Sequence, residues 1–266
     1  MLADYHMHTV LCKHAKGTVA EYAGEASGKC LPEICFTDHA PAPDGYDPAN
    51  RMMLNEFPAY VKSVGECRDS AKTPVLFGIE GDYYEEAGCL DFLRKWLPAQ
   101  RFDLVLGSVH YIRGWGFDNP AERATWDSVD VVQSWREYFQ LVIGLADTRL
   151  FDVVAHLDLP KKFGYRPRDK ALKEMAQPAL DRIAAAGMGI ELNTSGLRWP
   201  VREIYPSPLL LELAREREIP ICFGSDAHTP QDVGYAFDQA LALAKEAGYK
   251  QCARFRGRQK QLVPLP

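Results

Sequence analysis

The chain has 266 residues, 47% hydrophobic and 25% charged, enough for one substantial core and short for two independent domains. Its 31 basic and 36 acidic residues leave a net charge of −5, which argues against the basic face that a broad nucleic-acid footprint needs. No window approaches the ~18 consecutive apolar residues of a membrane span, and the start, MLADYHMHT, does not read as a secretory signal.

In chain order, short apolar runs at 3–5, 34–37, 75–79, 104–108, 153–155, 189–192 and 219–224 predict strands. Their near-continuous hydrophobicity fits parallel strands buried on both faces. Between most of them, 18–27, 54–69, 89–96, 131–145, 169–186, 207–217 and 233–246 predict helices. Thr18, Asp169 and Ser207 are expected at helix starts, Pro208 suits a first helical position, and Gly187 a terminus. Strands alternating with helices predict one domain over 1–266, a (β/α) barrel of seven units in the α/β class. Seven scattered cysteines without a CxxC pair read as reduced thiols in a cytoplasmic protein. The basic run Arg254, Arg256, Arg258 and Lys260 reads as a solvated C-terminal surface.

The seven histidines are placed unevenly: His6, His8, His39, His110, His156 and His228 fall at or just after predicted strand ends. His14 lies in the loop after the first strand. A lone strand histidine is more often a satisfied core residue. Barrel closure, however, would gather all these positions at the C-terminal face, where barrel active sites form. His6 and His8, two apart in an extended segment, can point the same way. Glu80 and Asp226 also end apolar runs, where a carboxylate is costly unless it meets positive charge. Imidazoles plus carboxylates suit zinc, iron or manganese. Asp38 reads either as a ligand or as a partner that orients a histidine.

These residues resemble the polymerase-and-histidinol-phosphatase (PHP) superfamily. The resemblance rests on Tyr-His-Met-His-Thr at 5–9, Thr-Asp-His-Ala at 37–40, Gly-Ile-Glu at 78–80, Gly-Ser-Val-His at 107–110, Ala-His-Leu-Asp at 155–158 and Gly-Ser-Asp-Ala-His at 224–228. Further segments, among them 107–118, 156–164 and 191–198, are similar to those of its monofunctional histidinol-phosphate phosphatases. The resemblance implies a distorted (β/α)7 TIM-like barrel holding three divalent metal ions. The first would take His6, His8, Glu80 and Asp226; the second would share Glu80 and add His110 and His156; the third would take His14, His39 and His228.

The expected chemistry is hydrolysis of a phosphomonoester, L-histidinol phosphate, by a metal-bound hydroxide, without a serine or cysteine nucleophile. Asp226 or His228 would protonate the leaving group. Arg198, in a Gly-containing loop, is expected to hold phosphate, with Lys161 or its neighbour Lys162, and Arg113, as further substrate contacts. Asp158, Glu191 and Asn193 are expected to meet a substrate amine or hydroxyl, or to serve local structure. The alternatives are a related phosphoesterase acting on nucleotides or other small esters, and a non-catalytic metal-binding protein. The expected partner is a small phosphate ester, neither nucleic acid nor membrane; oligomeric state and metal identity are unreadable.

Overall fold

The computed structural model describes residues 1–43, 47–84 and 88–266. Six parallel strands form one curled sheet. In chain order they are β1 (Ile34–Phe36), β2 (Val75–Asp82), β3 (Leu104–Ser108), then β6 (Val153–Val154), β7 (Gly189–Asn193) and β8 (Ile221–Gly224). Between β3 and β6, β4 (Tyr111–Ile112) and β5 (Trp115–Gly116) pair as a small antiparallel ribbon. The sheet strands are buried along nearly their whole length, as their Val, Ile, Leu, Cys and Phe runs require when helices cover one face and the barrel interior the other.

The expected first strand at 3–5 is not a regular strand. Asp4 bridges Ile34 and Met7 bridges Ala227, both in parallel sense. Tyr5 N donates to Phe223 O (2.9 Å), and Cys35 N donates to Asp4 O (2.8 Å). This irregular segment thus lies between β1 and β8 and closes the curled sheet into a distorted seven-membered barrel.

The helices are α1 (Val19–Gly28), α2 (Phe57–Ser70), α3 (Cys89–Trp96), α4 (Val131–Thr148), α5 (Asp169–Ala185), α6 (Pro208–Glu216) and α7 (Phe237–Glu246). Thr18 starts α1 with a reciprocal cap: Glu21 N donates to its hydroxyl (3.3 Å), and Glu21 Oε2 accepts from Thr18 N (2.6 Å). Asp169 is the first helical residue and Arg168 the cap, one position earlier than expected. The last helix starts at Phe237, not 233, because Gly234 (φ +64°) and a 3-10 turn at Pro230–Asp232 come first. Among the described residues no helix is long and apolar enough to cross a membrane.

The basic C-terminal run lies at the surface, with Arg256 and Lys260 exposed and Arg254 and Arg258 partly so, but it also has a structural role. It belongs to a hairpin of β9 (Gln251–Arg256) and β10 (Gln259–Pro264) across the face where the strands begin. Alternation in β9 sends Ala253 and Phe255 inward, where they join Tyr5, Leu104, Leu106 and Val153 in the barrel's inner core. The charges anchor the rim. Arg256 donates to Glu33 (2.6 Å), and Arg258 to Asp152 (2.9 and 3.0 Å) and Leu150 O (2.7 Å). Lys260 donates to Gly187 O (2.9 Å).

Candidate metal centre

At the opposite face, a cavity of about 510 Å³ is lined by His8, His14, His39, Glu80, His110, His156, Asp226 and His228. His6, fully buried, lies beside them, its Nε2 3.1 Å from His8 Nε2. They come from six separate stretches of strand end or following loop, with His6, His8 and His14 after the first segment and Asp226 and His228 after β8, so barrel closure unites residues far apart in the chain.

Glu80 is the hub. His156 Nε2 is 2.9 Å from its Oε1 and His110 Nε2 3.7 Å; His39 Nδ1 is 3.0 Å from its Oε2 and His6 Nε2 3.4 Å. A second focus is Asp226 Oδ1, 3.2 Å from His8 Nε2, 3.5 Å from His228 Nδ1 and 3.8 Å from His6 Nε2. His14 Nε2 and His228 Nε2 face each other at 2.9 Å. Potential ligand atoms lie within 4.8 Å of one another in His6–His8–Asp226, His6–Glu80–His156 and His8–His39–His228, among other groups.

This donor set fits metal ions better than it fits a hydrogen-bond network. Glu80 Oε2, His8 Nδ1, His39 Nδ1 and His156 Nδ1 are buried without a hydrogen-bond partner among the described residues. Close approach without hydrogen-bond geometry, as between His39 Nδ1 and Glu80 Oε2, means that lone pairs are directed at shared points. Burial opposes the charge on Glu80 and Asp226, yet the surrounding imidazoles hold both carboxyls well below the usual carboxylate range. Burial would also lower His8, but Asp226 and Asp38 reverse this and bring it up to about 9. His14 goes the other way, pushed down to about 4 by burial and by the charges of His39 and His8. Anionic carboxylates among imidazoles that compete for protons form a site where cations can replace those protons.

A second layer aims the imidazoles. Glu191 Oε1 lies 2.8 Å from His6 Nδ1, while its Oε2 accepts from His156 N (2.9 Å) and Asn193 Nδ2 (3.0 Å). Asp82 contacts His110 Nδ1 and accepts from Ser108 Oγ (2.8 Å) and Arg51. Of the two readings of Asp38, the structure favours the orienting one: it accepts from Thr9 N (3.0 Å) and stands 3.5 Å from His8 Nδ1. Such carboxylate–imidazole contacts fix ring orientation. They also explain a glycine: a Cβ on Gly224 would sit 1.8 Å from Glu191 Oε1 and 2.6 Å from His6 Cβ. His156 (φ +27°) and Asp226 (φ +52°) carry positive φ without being glycine, local strain of the kind found at functional sites.

The expected substrate contacts divide. Arg198 lines the cavity; its Nη2 donates to Ser225 O (2.9 Å) and Asp226 O (3.0 Å), and its Nη1 is buried with no hydrogen-bond partner among the described residues. Lys161 and Arg113 do not line it. Lys161 is buried elsewhere, donating to Ile204 O (2.8 Å) and Glu203 (3.1 Å), and Arg113 is an exposed partner of Glu137. The turn after β6 explains the first correction. Asp158 takes φ +68° and a 3-10 helix spans Leu159–Phe163, so adjacent lysines diverge and Lys162 alone faces the cavity. Lys162 donates to Asp118 (3.0 Å) and lies 4.1 Å from the Trp199 ring centre. Asp158 and Asn193 serve structure: Asp158 accepts from Ser207 N (2.9 Å), and Asn193 Oδ1 accepts from Ser195 N (2.9 Å). Sequence reading missed Arg51, Asp82 and Asp118 as cavity residues; Arg51 and Asp118 are lone charges outside helix and strand, with no periodic signal, and Asp82 ends β2 two residues beyond Glu80.

The PHP domain family matches residues 4–195, and a PHP-associated family matches 209–249. The chain is 42% identical over 262 residues to a Deinococcus radiodurans protein named probable histidinol-phosphatase, covering 98% of both. It is 29% identical to the histidinol-phosphatase of Bacillus subtilis, over 90% of this chain and 97% of that one. In fold it is similar to a Lactococcus lactis histidinol phosphate phosphatase solved with zinc, L-histidinol and phosphate. That likeness has a TM-score of 0.83 over 98% of each chain at 22% identity. With its ligand motifs in order along a closed barrel and this coverage, the chain belongs to the PHP domain family.

Proposed function

We propose that this chain is a metal-dependent phosphomonoesterase that hydrolyses L-histidinol phosphate to L-histidinol and phosphate. The observation that carries the chemistry is the convergence of His6, His8, His39, His110, His156 and His228 on Glu80 and Asp226 at the base of one cavity. The substrate follows from relatives of nearly equal length named for it.

Three divalent ions are assigned. One would take His6, His8, Glu80 and Asp226, a second Glu80, His110 and His156, and a third His14, His39 and His228. Zinc, iron or manganese suits these donors, and the zinc of the Lactococcus lactis protein supports the first. Bound there, the ions would supply positive charge for phosphoryl oxygens and lower the pKa of a water toward neutrality. Arg198 Nη1, held in place by the two carbonyls on Nη2, and the Lys162 ammonium present fixed charge to the same oxygens. Asp226 or His228 would pass a proton, taken from the attacking water, to the leaving alkoxide. Free thiols at all seven cysteines are in keeping with a reducing compartment, the cytoplasm.

The test is phosphate release from L-histidinol phosphate by purified protein, with metals quantified and mononucleotides run alongside. A strong preference for L-histidinol phosphate, lost on chelation and restored by metal, is the expected result. Preference for a nucleotide overturns the substrate, and silence from a fully metallated sample overturns the activity.

A further inference from the structure

Each of these fixed cations of the cavity stands against a carboxylate. Arg51 contacts Asp82 and, at 3.3 Å, Asp47; Arg198 Nε stands 3.8 Å from Asp232, and Lys162 Nζ 3.0 Å from Asp118. The carboxylates differ in how far they are committed. Asp47 also accepts from Asn50 Nδ2 (2.7 Å) and Tyr111, and Asp232 also accepts from Thr229 (3.0 Å). Asp118 accepts a hydrogen bond only from Lys162 among the described residues, and only at Oδ2.

Resting on the reading of this cavity as a phosphomonoester site, we propose that Asp118 is the specificity residue that receives the substrate's ammonium group, through an exchange of partners with Lys162. A dianionic phosphate entering the cavity draws the Lys162 ammonium toward its oxygens. That leaves Asp118, partly shielded from water, with an unpaired negative charge. A buried charge stripped of its partner is costly, and the cost is removed when the same ligand brings a cation. A phosphate ester carrying an ammonium group satisfies both halves of the opened pair, whereas one without it leaves Asp118 uncompensated. The cavity is thereby selective for aminoalkyl phosphates through a penalty on the others as well as through a contact with the right one. Trp199 assists by offering its ring face to Lys162 at 4.1 Å, a contact that tolerates movement of the ammonium.

The experiment compares wild type with Asp118→Asn and Asp118→Glu, all fully metallated and checked for equal metal content and thermal melting. The substrates are two matched pairs, L-histidinol phosphate against its deamino analogue and O-phosphoethanolamine against ethyl phosphate. The quantity read is the ratio of kcat/KM within each pair. We expect wild type to favour the ammonium member of each pair. Asp118→Asn should reduce that preference about 10- to 100-fold, the range of one charged hydrogen bond, chiefly through KM. Asp118→Glu, which keeps the charge, should retain most of it. A wild-type enzyme with no preference in either pair, or an Asp118→Asn variant that loses both members equally, overturns the proposal. Wild type that spares L-histidinol phosphate but discriminates in the ethanolamine pair would overturn the proposed function and leave this assignment standing.

Discussion

At the face where the strands begin, Tyr5, Leu104, Val153 and Phe255 form an apolar plug, and the charges around it have direct partners: Arg256 with Glu33, Arg258 with Asp152. At the face where they end, buried histidines and carboxylates gather, several with a side-chain atom that has no hydrogen-bond partner among the described residues, and two take positive φ. One end satisfies its own polar groups and buries apolar surface, which stabilises the fold. The other keeps polar groups aimed at a shared space, which costs stability until something positive arrives there. A barrel can carry this second arrangement because the first holds the strands in register beneath it.

The sharpest way to break the comparison is at the hub. Glu80→Gln removes the negative charge that five imidazoles surround, and should lower kcat/KM by about 10³-fold, the effect of several kcal/mol at a metal site. Metal content per chain, measured on the same sample, should fall with it; retained metal and activity would remove Glu80 from the centre. A smaller loss is expected one layer out. Glu191→Gln keeps the shape but weakens the hold on His6, for a drop of about 10- to 100-fold in metal affinity or activity. Gly224→Ala should act alike by displacing the same carboxylate, read by metal titration. At the other face the effect should change kind: Phe255→Ala should cost about 3–5 kcal/mol in denaturant unfolding. Its kcat, measured well below the melting temperature, should stay within about twofold of wild type, as expected for distant sites. A large kcat loss there would show that the two ends are coupled.

The motifs that meet at the candidate centre were legible because each is local, a histidine or carboxylate at or just after the end of an apolar run. The direction of a side chain was not. Lys161 and Lys162 are neighbours of the same type, and only the left-handed backbone at Asp158 and the 3-10 turn after it decide which one faces the cavity. Glu191 reads as a possible substrate contact, but β7 turns it inward against His6. The first segment pairs through isolated bridges instead of a ladder, so its apolar run marked a strand where the chain forms a closing seam.

By itself, then, the sequence determined the layered α/β order, the barrel class and which histidines and carboxylates gather at the candidate centre, since burial periodicity and residue type are written residue by residue. Only the tertiary structure decided which carboxylates aim which imidazoles, that Asp118 pairs with Lys162, and that a basic C-terminal run closes the barrel. Those outcomes depend on distances between residues far apart in the chain, such as Arg256 and Glu33 or Glu191 and His6, and such distances exist only once the backbone has closed.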